Sequence, residues 1–274
     1  MSEQATTRPA GLFARLGAMP NDSVAKMLMV TILLSLVCSV LVSSAAVFLK
    51  PMQLRNVEIA RKARILEVAG LMEPGRPVDE LFRGVQPRLV ELATGQFSDA
   101  FDAATFDQHI AARDPTLSVA IPPWEDIAGI SRRAKYAPVY LVDSDGHIQT
   151  IVLPVHGYGL WSTMYGFLAL SGDGKTVQGL TFYQHAETPG LGGEIENPRW
   201  LERWVGKRIF GPDGDVGLRV VRGSVDPASE LADWSIDGIS GATLTADGVS
   251  NMVQYWLGDQ GFGPFLARLR EEGI

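Results

Sequence analysis

Residues 27–49 form a run of 23 positions without a single charge, from Met27-Leu28-Met29-Val30 to Ala46-Val47-Phe48-Leu49. A helix of about 20 apolar residues crosses the hydrocarbon core of a bilayer, and a slightly longer one crosses with tilt. The fold is therefore bounded from the start: a single membrane helix, a short segment before it and a water-soluble remainder. Lys26 and Lys50 close the run at its two ends, where ammonium groups reach the headgroups. A cleaved signal peptide cutting near Ser43-Ser44-Ala45-Ala46 is the competing reading. Its apolar core would normally run about 7–15 residues, so an uncleaved anchor fits better. The expected organisation is a tail at 1–25, an anchor at 26–49 and one domain at 50–274.

Thr31, Ser35, Ser39 and Ser43 recur every four residues inside the anchor. That spacing lays them along one face of a helix. Small polar side chains on such a face let helices approach closely in lipid, which suits a member of a membrane complex. Positive charges flank both sides: Arg8, Arg15 and Lys26 before the run, Lys50, Arg55, Arg61, Lys62 and Arg64 after it. Counted alone, they place the C-terminal domain in the cytoplasm.

The remainder is of ordinary size for one domain. A net charge of −7 argues against nucleic acid as a partner. The single cysteine, Cys38, lies in the anchor. Disulfides and cysteine-held metal clusters in the domain are thereby excluded. The four histidines, His109, His147, His156 and His185, lack metal-ligand spacing. No metal site is expected.

Residues 52–72 carry apolar side chains at helical spacing, continuing outward from the anchor, and Pro74-Gly75-Arg76-Pro77 ends the pattern. A short helix at 78–84 and a strand at 88–93 follow. Residues 99–135 show no strong period and read as loop and short helix. Strands at 138–142 and 147–153 flank the turn Asp143-Ser144-Asp145-Gly146, and strands at 165–171 and 177–184 flank Gly172-Asp173-Gly174-Lys175. Asn197 and Pro198 open a helix at 197–205. A strand at 218–222 and helices at 245–257 and 264–271 complete an α+β domain: helices against an antiparallel sheet.

The chemistry concentrates in Asp237-Gly238-Ile239-Ser240-Gly241-Ala242-Thr243-Leu244-Thr245. Small residues let a backbone approach a ligand, and exposed N–H groups hold an anion. The helical pattern that follows adds a helix N-terminus, favourable for phosphate. From composition alone, a tight turn with Thr245 as N-cap is an equal reading. Gly238-Ile239-Ser240-Gly241 also approaches a nucleophile elbow, but Ala242 stands where that motif has its last glycine.

This stretch resembles the flavinylation motif of the covalent FMN-binding domain family, Asp-x-x-Ser-Gly-Ala-Thr. Asp237, Ser240, Gly241, Ala242 and Thr243 stand at its positions. The resemblance implies a phosphoester between FMN and Thr243, made by a flavin transferase outside the inner membrane. Four further segments are similar to the NqrC family of sodium-translocating NADH:quinone oxidoreductases: Lys50-Pro51-Met52-Gln53, 159–166 (Gly-Leu-Trp-Ser-Thr-Met-Tyr-Gly), 187–194 (Glu-Thr-Pro-Gly-Leu-Gly-Gly-Glu) and 255–266. That likeness implies a flavin-bearing electron-transfer subunit of a six-subunit bacterial inner-membrane complex that oxidises NADH, reduces ubiquinone and exports sodium. It also implies a periplasmic C-terminal domain, against the charge count. The basic residues from 55 onward belong to a folded helix, so they carry less weight.

A flavin needs apolar walls for its ring and a few aimed polar groups. With the family likeness, Leu160, Trp161 and Ser162 are candidates from one glycine-flanked segment, and Thr188, Gly190, Leu191 and Gly192 from another. Trp161 as a plain core residue is a near-equal reading. Glu187 suits loop support better than proton transfer. No G-x-G-x-x-G follows a strand, so NADH oxidation belongs to another subunit, and no catalytic acid or base is assigned. Two other functions share parts of this pattern: the G subunit of an Rnf complex, and an anchored FMN-binding sensor or assembly protein.

Overall fold

A computed structural model describes residues 19–20, 22–144 and 146–272. Most of the N-terminal tail, including Arg8 and Arg15, lies outside the described residues, as does Asp145 of the expected turn. The chain divides into two compact units, Met1–Glu58 and Ile59–Ile274.

One helix, α1, runs from Val24 to Val68, 45 residues. It is the one helix among the described residues long and apolar enough to cross a membrane, with a mean hydropathy of 2.6 in its most apolar window and none of that window buried. The anchor and the expected second helix are thus a single element. Pro51 lies inside it, where it withholds one N–H from the helical ladder. The helix stops at Val68, four residues before the expected 72. The cause is Gly70, in the left-handed conformation with φ +69°. Gly70 N–H donates to the Glu67 carbonyl at 3.0 Å, and Leu71 N–H to the Leu66 carbonyl at 2.8 Å. This is a Schellman closure, which glycine favours because it has no Cβ.

In the second unit, α2 (Val78–Leu81) and a 3-10 turn precede β1 (Val85–Glu91) and β2 (Gln96–Ser98). Residues 99–135 contain α3 (Gln108–Arg113) and two three-residue strands, β3 (Ser118–Ala120) and β4 (Arg132–Ala134). Strands this short leave no alternation to read. Next come β5 (Tyr136–Ser144), β6 (His147–Tyr158), β7 (Thr163–Ser171) and β8 (Val177–Gln184). The helix expected at 197–205 is α4 (Pro198–Leu201) followed by a 3-10 turn to Trp204. The strand expected at 218–222 shrinks to β9 (Arg219–Val220), paired parallel with β10 (Ser235–Ile236). Helices α5 (Thr243–Leu257) and α6 (Gly263–Glu272) end the chain.

The main sheet has the order β2-β1-β5-β6-β7-β8, with antiparallel neighbours throughout. Alternating residues feed two cores. Leu141, Ile151, Leu153, Leu168 and Phe182 point to the face covered by Val249, Val253, Trp256 and Leu266 of α5 and α6. Tyr140, Val152, Phe167 and Ala169 meet Ile65, Leu66 and Val68 on the other. Strand β6 is therefore buried on both faces along most of its length. Glycines bring α5 onto it: a methyl at Gly248 would lie 2.6 Å from the Tyr158 carbonyl oxygen, and one at Gly157 2.8 Å from Met252 Cβ. The N-terminus of α5 thus meets the β6–β7 turn.

Candidate flavin site

Thr243 and Thr245 part company at the start of α5. The helix begins at Thr243, not Thr245, with Ala242 as N-cap, so no side chain caps it. The reading of Thr245 as N-cap is corrected: it is the third residue of the helix, within its first turn, and its side chain is fully buried. Its hydroxyl donates to Glu187 Oε2 at 2.7 Å. Thr243 is exposed. An uncapped N-terminus leaves first-turn N–H groups and the positive end of the dipole open to an anion.

Three segments come together at this point. Glu187 joins them. Its Oε1 accepts from the N–H groups of Leu160, Trp161 and Ser162, at 3.1, 3.0 and 3.3 Å, while Oε2 holds Thr245. Burial pushes the Glu187 carboxyl up, but the Thr245 hydroxyl and the three N–H groups outweigh it and hold it below the ordinary value. It is an anion with its acceptors filled, unsuited to proton transfer. Ser162 adds a second tie, its Oγ accepting from Ala186 N–H at 2.7 Å.

The 187–193 loop also reaches the motif directly. Gly241 has φ +74°, and a methyl there would lie 3.0 Å from Leu191 Cδ2. Gly192 is buried: a methyl on it would lie 2.6 Å from Thr245 Oγ1 and 2.8 Å from Glu187 Oε2. Thr188 and Gly190 are exposed, as is Ser240. Trp161 is 65% exposed, which removes its core reading, and Leu160, Leu191 and Leu244 are exposed as well. Single exposed apolar side chains are ordinary, but several on converging segments mark a binding surface.

Asp237 stands back from this surface. Its Oδ1 accepts from Val225 N–H at 2.7 Å, its Oδ2 pairs with Arg203, and its carbonyl accepts from Trp200 Nε1 at 2.8 Å. It fastens the motif loop to α4 and the turn after it. The nucleophile-elbow reading finds no base: among the described residues no histidine hydrogen-bonds Ser240. His156 is driven down to about 3 by burial and by neighbouring His109. Among the described residues no cluster of three His, Cys, Asp or Glu could hold a metal.

Of the sequence candidates, Leu160, Trp161, Ser162, Thr188, Gly190, Leu191, Gly192, Ser240, Gly241, Ala242 and Thr243 all lie on the three segments that converge at the start of α5, with Asp237 behind them. Sequence reasoning missed the bond from Glu187 to Thr245, and Gly159, where a methyl would lie 2.6 Å from Glu187 Oε1. Gly159 carried a signal, since it precedes Leu160 in a run with no other need for glycine. FMN fits the arrangement: an exposed hydroxyl at an open helix N-terminus suits a phosphate, and the exposed apolar side chains suit a planar ring.

Together, anchor, sheet and site define a membrane-anchored domain of the FMN-binding class, and the model of the FMN-binding domain family matches residues 159–258. The C subunit of the Na(+)-translocating NADH-quinone reductase of Pseudomonas aeruginosa is 50% identical over 255 residues, covering 92% of this chain and 98% of that protein. Its counterpart from Vibrio alginolyticus is 48% identical, covering 92% and 97%. The crystal structure of Shewanella oneidensis NqrC aligns at a TM-score of 0.71 and 34% identity, covering 77% of this chain and 96% of that one. The chain belongs to the NqrC family of Na(+)-translocating NADH-quinone reductases.

Proposed function

We propose that FMN is joined by a phosphoester to Thr243 and that the chain relays electrons through it. The observation that carries this is the contrast between the two threonines: Thr243 is exposed at an uncapped helix start, whereas Thr245 is buried and bonded. As a member of its family, the chain is an FMN-carrying electron-transfer subunit of the sodium-translocating NADH-quinone reductase. Likeness to NqrC over 98% of the relative's length favours this over an Rnf G subunit or a free-standing sensor.

Bound FMN supplies the redox chemistry. The protein's part is to hold and surround it. Thr243 Oγ tethers the phosphate, and the N–H groups at the start of α5, with Ser240, Gly241 and Ala242, face it. Leu160, Trp161 and Leu191 wall the ring, with Ser162, Thr188, Gly190 and Gly192 shaping the two loops around it. Asp237 braces the turn for the transferase and for the finished site. No residue here acts as acid or base.

The domain is read as periplasmic, where a flavin transferase can reach Thr243, on a single pass through the bacterial inner membrane. The exposed stripe of Thr31, Ser35, Ser39 and Ser43 is assigned to contacts with membrane helices of other subunits. A reporter active only after export, fused behind Ile274, is expected to work; activity from a cytoplasmic reporter alone would overturn the orientation.

The attachment is tested on denaturing gels under ultraviolet light, in cells that supply the transferase. Wild type and Thr245→Ser should fluoresce, and Thr243→Ala should not. A fluorescent Thr243→Ala band would reject this site.

A further inference from the structure

We infer that Glu187 is a positioning residue: one carboxylate assembles the flavin-facing surface from the β6–β7 turn, the 187–193 loop and the start of α5. The inference rests on the reading that FMN is carried at Thr243, and it extends that reading to a residue that need not touch the flavin.

The geometry points to it in three ways. First, the donors come from separate parts of the fold. Leu160, Trp161 and Ser162 offer three successive N–H groups to one oxygen, while Thr245 offers its hydroxyl to the other. Successive N–H groups converging on one atom fix the local backbone, and so fix where the Leu160 and Trp161 side chains project. The Thr245 bond fixes that backbone relative to the first turn of α5.

Second, the carboxylate is built in. Glu187 is 4% exposed, and its own N–H donates to His185 Nδ1 at 3.1 Å. Two glycines make room on either side. A methyl at Gly159 would meet Oε1 at 2.6 Å, and one at Gly192 would meet Oε2 at 2.8 Å. Neither glycine has the positive φ that would explain it by backbone conformation, so close approach is their reason.

Third, the side chains oriented by Glu187 gain nothing from it as core. Trp161 is 65% and Leu160 39% exposed. A brace serving stability alone would order residues that pack. Here Oε2 holds the buried Thr245, but the three N–H groups on Oε1 order a turn whose side chains face outward. Four donors to a buried carboxylate are charge-assisted bonds, among the stronger of their kind.

The test uses the full chain, produced with the transferase and purified in detergent. The variants are Glu187→Ala, Glu187→Gln, Thr245→Val and Thr245→Ser. Glutamine can turn its oxygen to the three N–H groups and its amide to the Thr245 oxygen, so it and Thr245→Ser should behave as wild type. Thr245→Val and Glu187→Ala should keep FMN on Thr243 yet free the ring. Flavin fluorescence anisotropy should fall, iodide quenching should rise at least twofold, and the midpoint potential should shift. A folded Glu187→Ala protein lacking FMN, beside a loaded Glu187→Gln protein, also supports the proposal, since the surface is then needed for attachment. If Glu187→Ala does not fold, Thr245→Val decides. Loaded Thr245→Val and Glu187→Ala proteins with wild-type anisotropy, quenching and potential, differing only in melting temperature, would overturn it. A Thr243→Ala chain that still carries covalent FMN would instead reject the underlying site assignment.

Discussion

Two kinds of helix start occur in this domain. At α3 and α4 the first turn is closed by its own sequence. Asp107 accepts from the N–H groups of His109 and Ile110, and Asn197 accepts from Arg199 N–H at 3.0 Å, with Pro198 at the first position. At α5 the N-cap is Ala242, no side chain caps it, and no acid lies in the first turn. Two short helices, α3 and α4, carry side-chain caps, and the 15-residue helix that carries the core carries none. A side-chain cap is worth about 1 kcal/mol. Helix α5 forgoes it because burial of Val249, Met252, Val253 and Trp256 against the sheet already holds the helix. Its open N–H groups are thereby left for a ligand. A helix held by packing can spare its N-terminus.

Closing the open start of α5 should have the largest effect. Ala242→Asp places a carboxylate where the phosphate is proposed to sit. It should compete for the first-turn N–H groups and repel the phosphate, cutting covalent FMN at least tenfold by in-gel fluorescence. Unchanged labelling would mean that the start of α5 is not the phosphate site.

The mirror experiment removes a cap that has only a structural duty. Asn197→Ala should cost about 0.5–2 kcal/mol, lowering the melting temperature by about 2–4 °C for each kcal/mol lost in a domain of this size. FMN content should stay at the wild-type level. A loss of FMN without a loss of stability would show that α4 serves the site more directly than its bond from Trp200 to Asp237 suggests.

Much of this is legible from residue patterns. The anchor, the two main hairpins and the capped start of α4 carry local signals: an uncharged run, turn glycines between apolar strands, and Asn before Pro. The candidate site residues also come from sequence, through a family likeness rather than through physics, since small residues alone leave a plain turn equally open. What escapes is set by tertiary contact. Thr245 looks like an N-cap, yet it is drawn inside the helix by burial and by Glu187, 58 positions away in sequence. Helix α1 ends four residues before its apolar pattern does, because Gly70 closes it ahead of the proline-rich stretch at 74–77. Strands β3, β4, β9 and β10 are two or three residues long and exist only through their partners. Trp161 cannot be assigned from its neighbours, because exposure is a property of the folded surface.

Thr243 and Thr245 stand two residues apart at the start of one helix and are expected to have opposite fates. Fragmentation mass spectrometry of the C-terminal peptides from the flavinylated chain tests this most directly, because both threonines fall in the same stretch and each bond cleaved between them reports which one is heavier. The flavin phosphate mass is expected on Thr243 alone, with Thr245 unmodified. The mass on Thr245, or on neither threonine while the protein holds FMN tightly, would contradict that expectation.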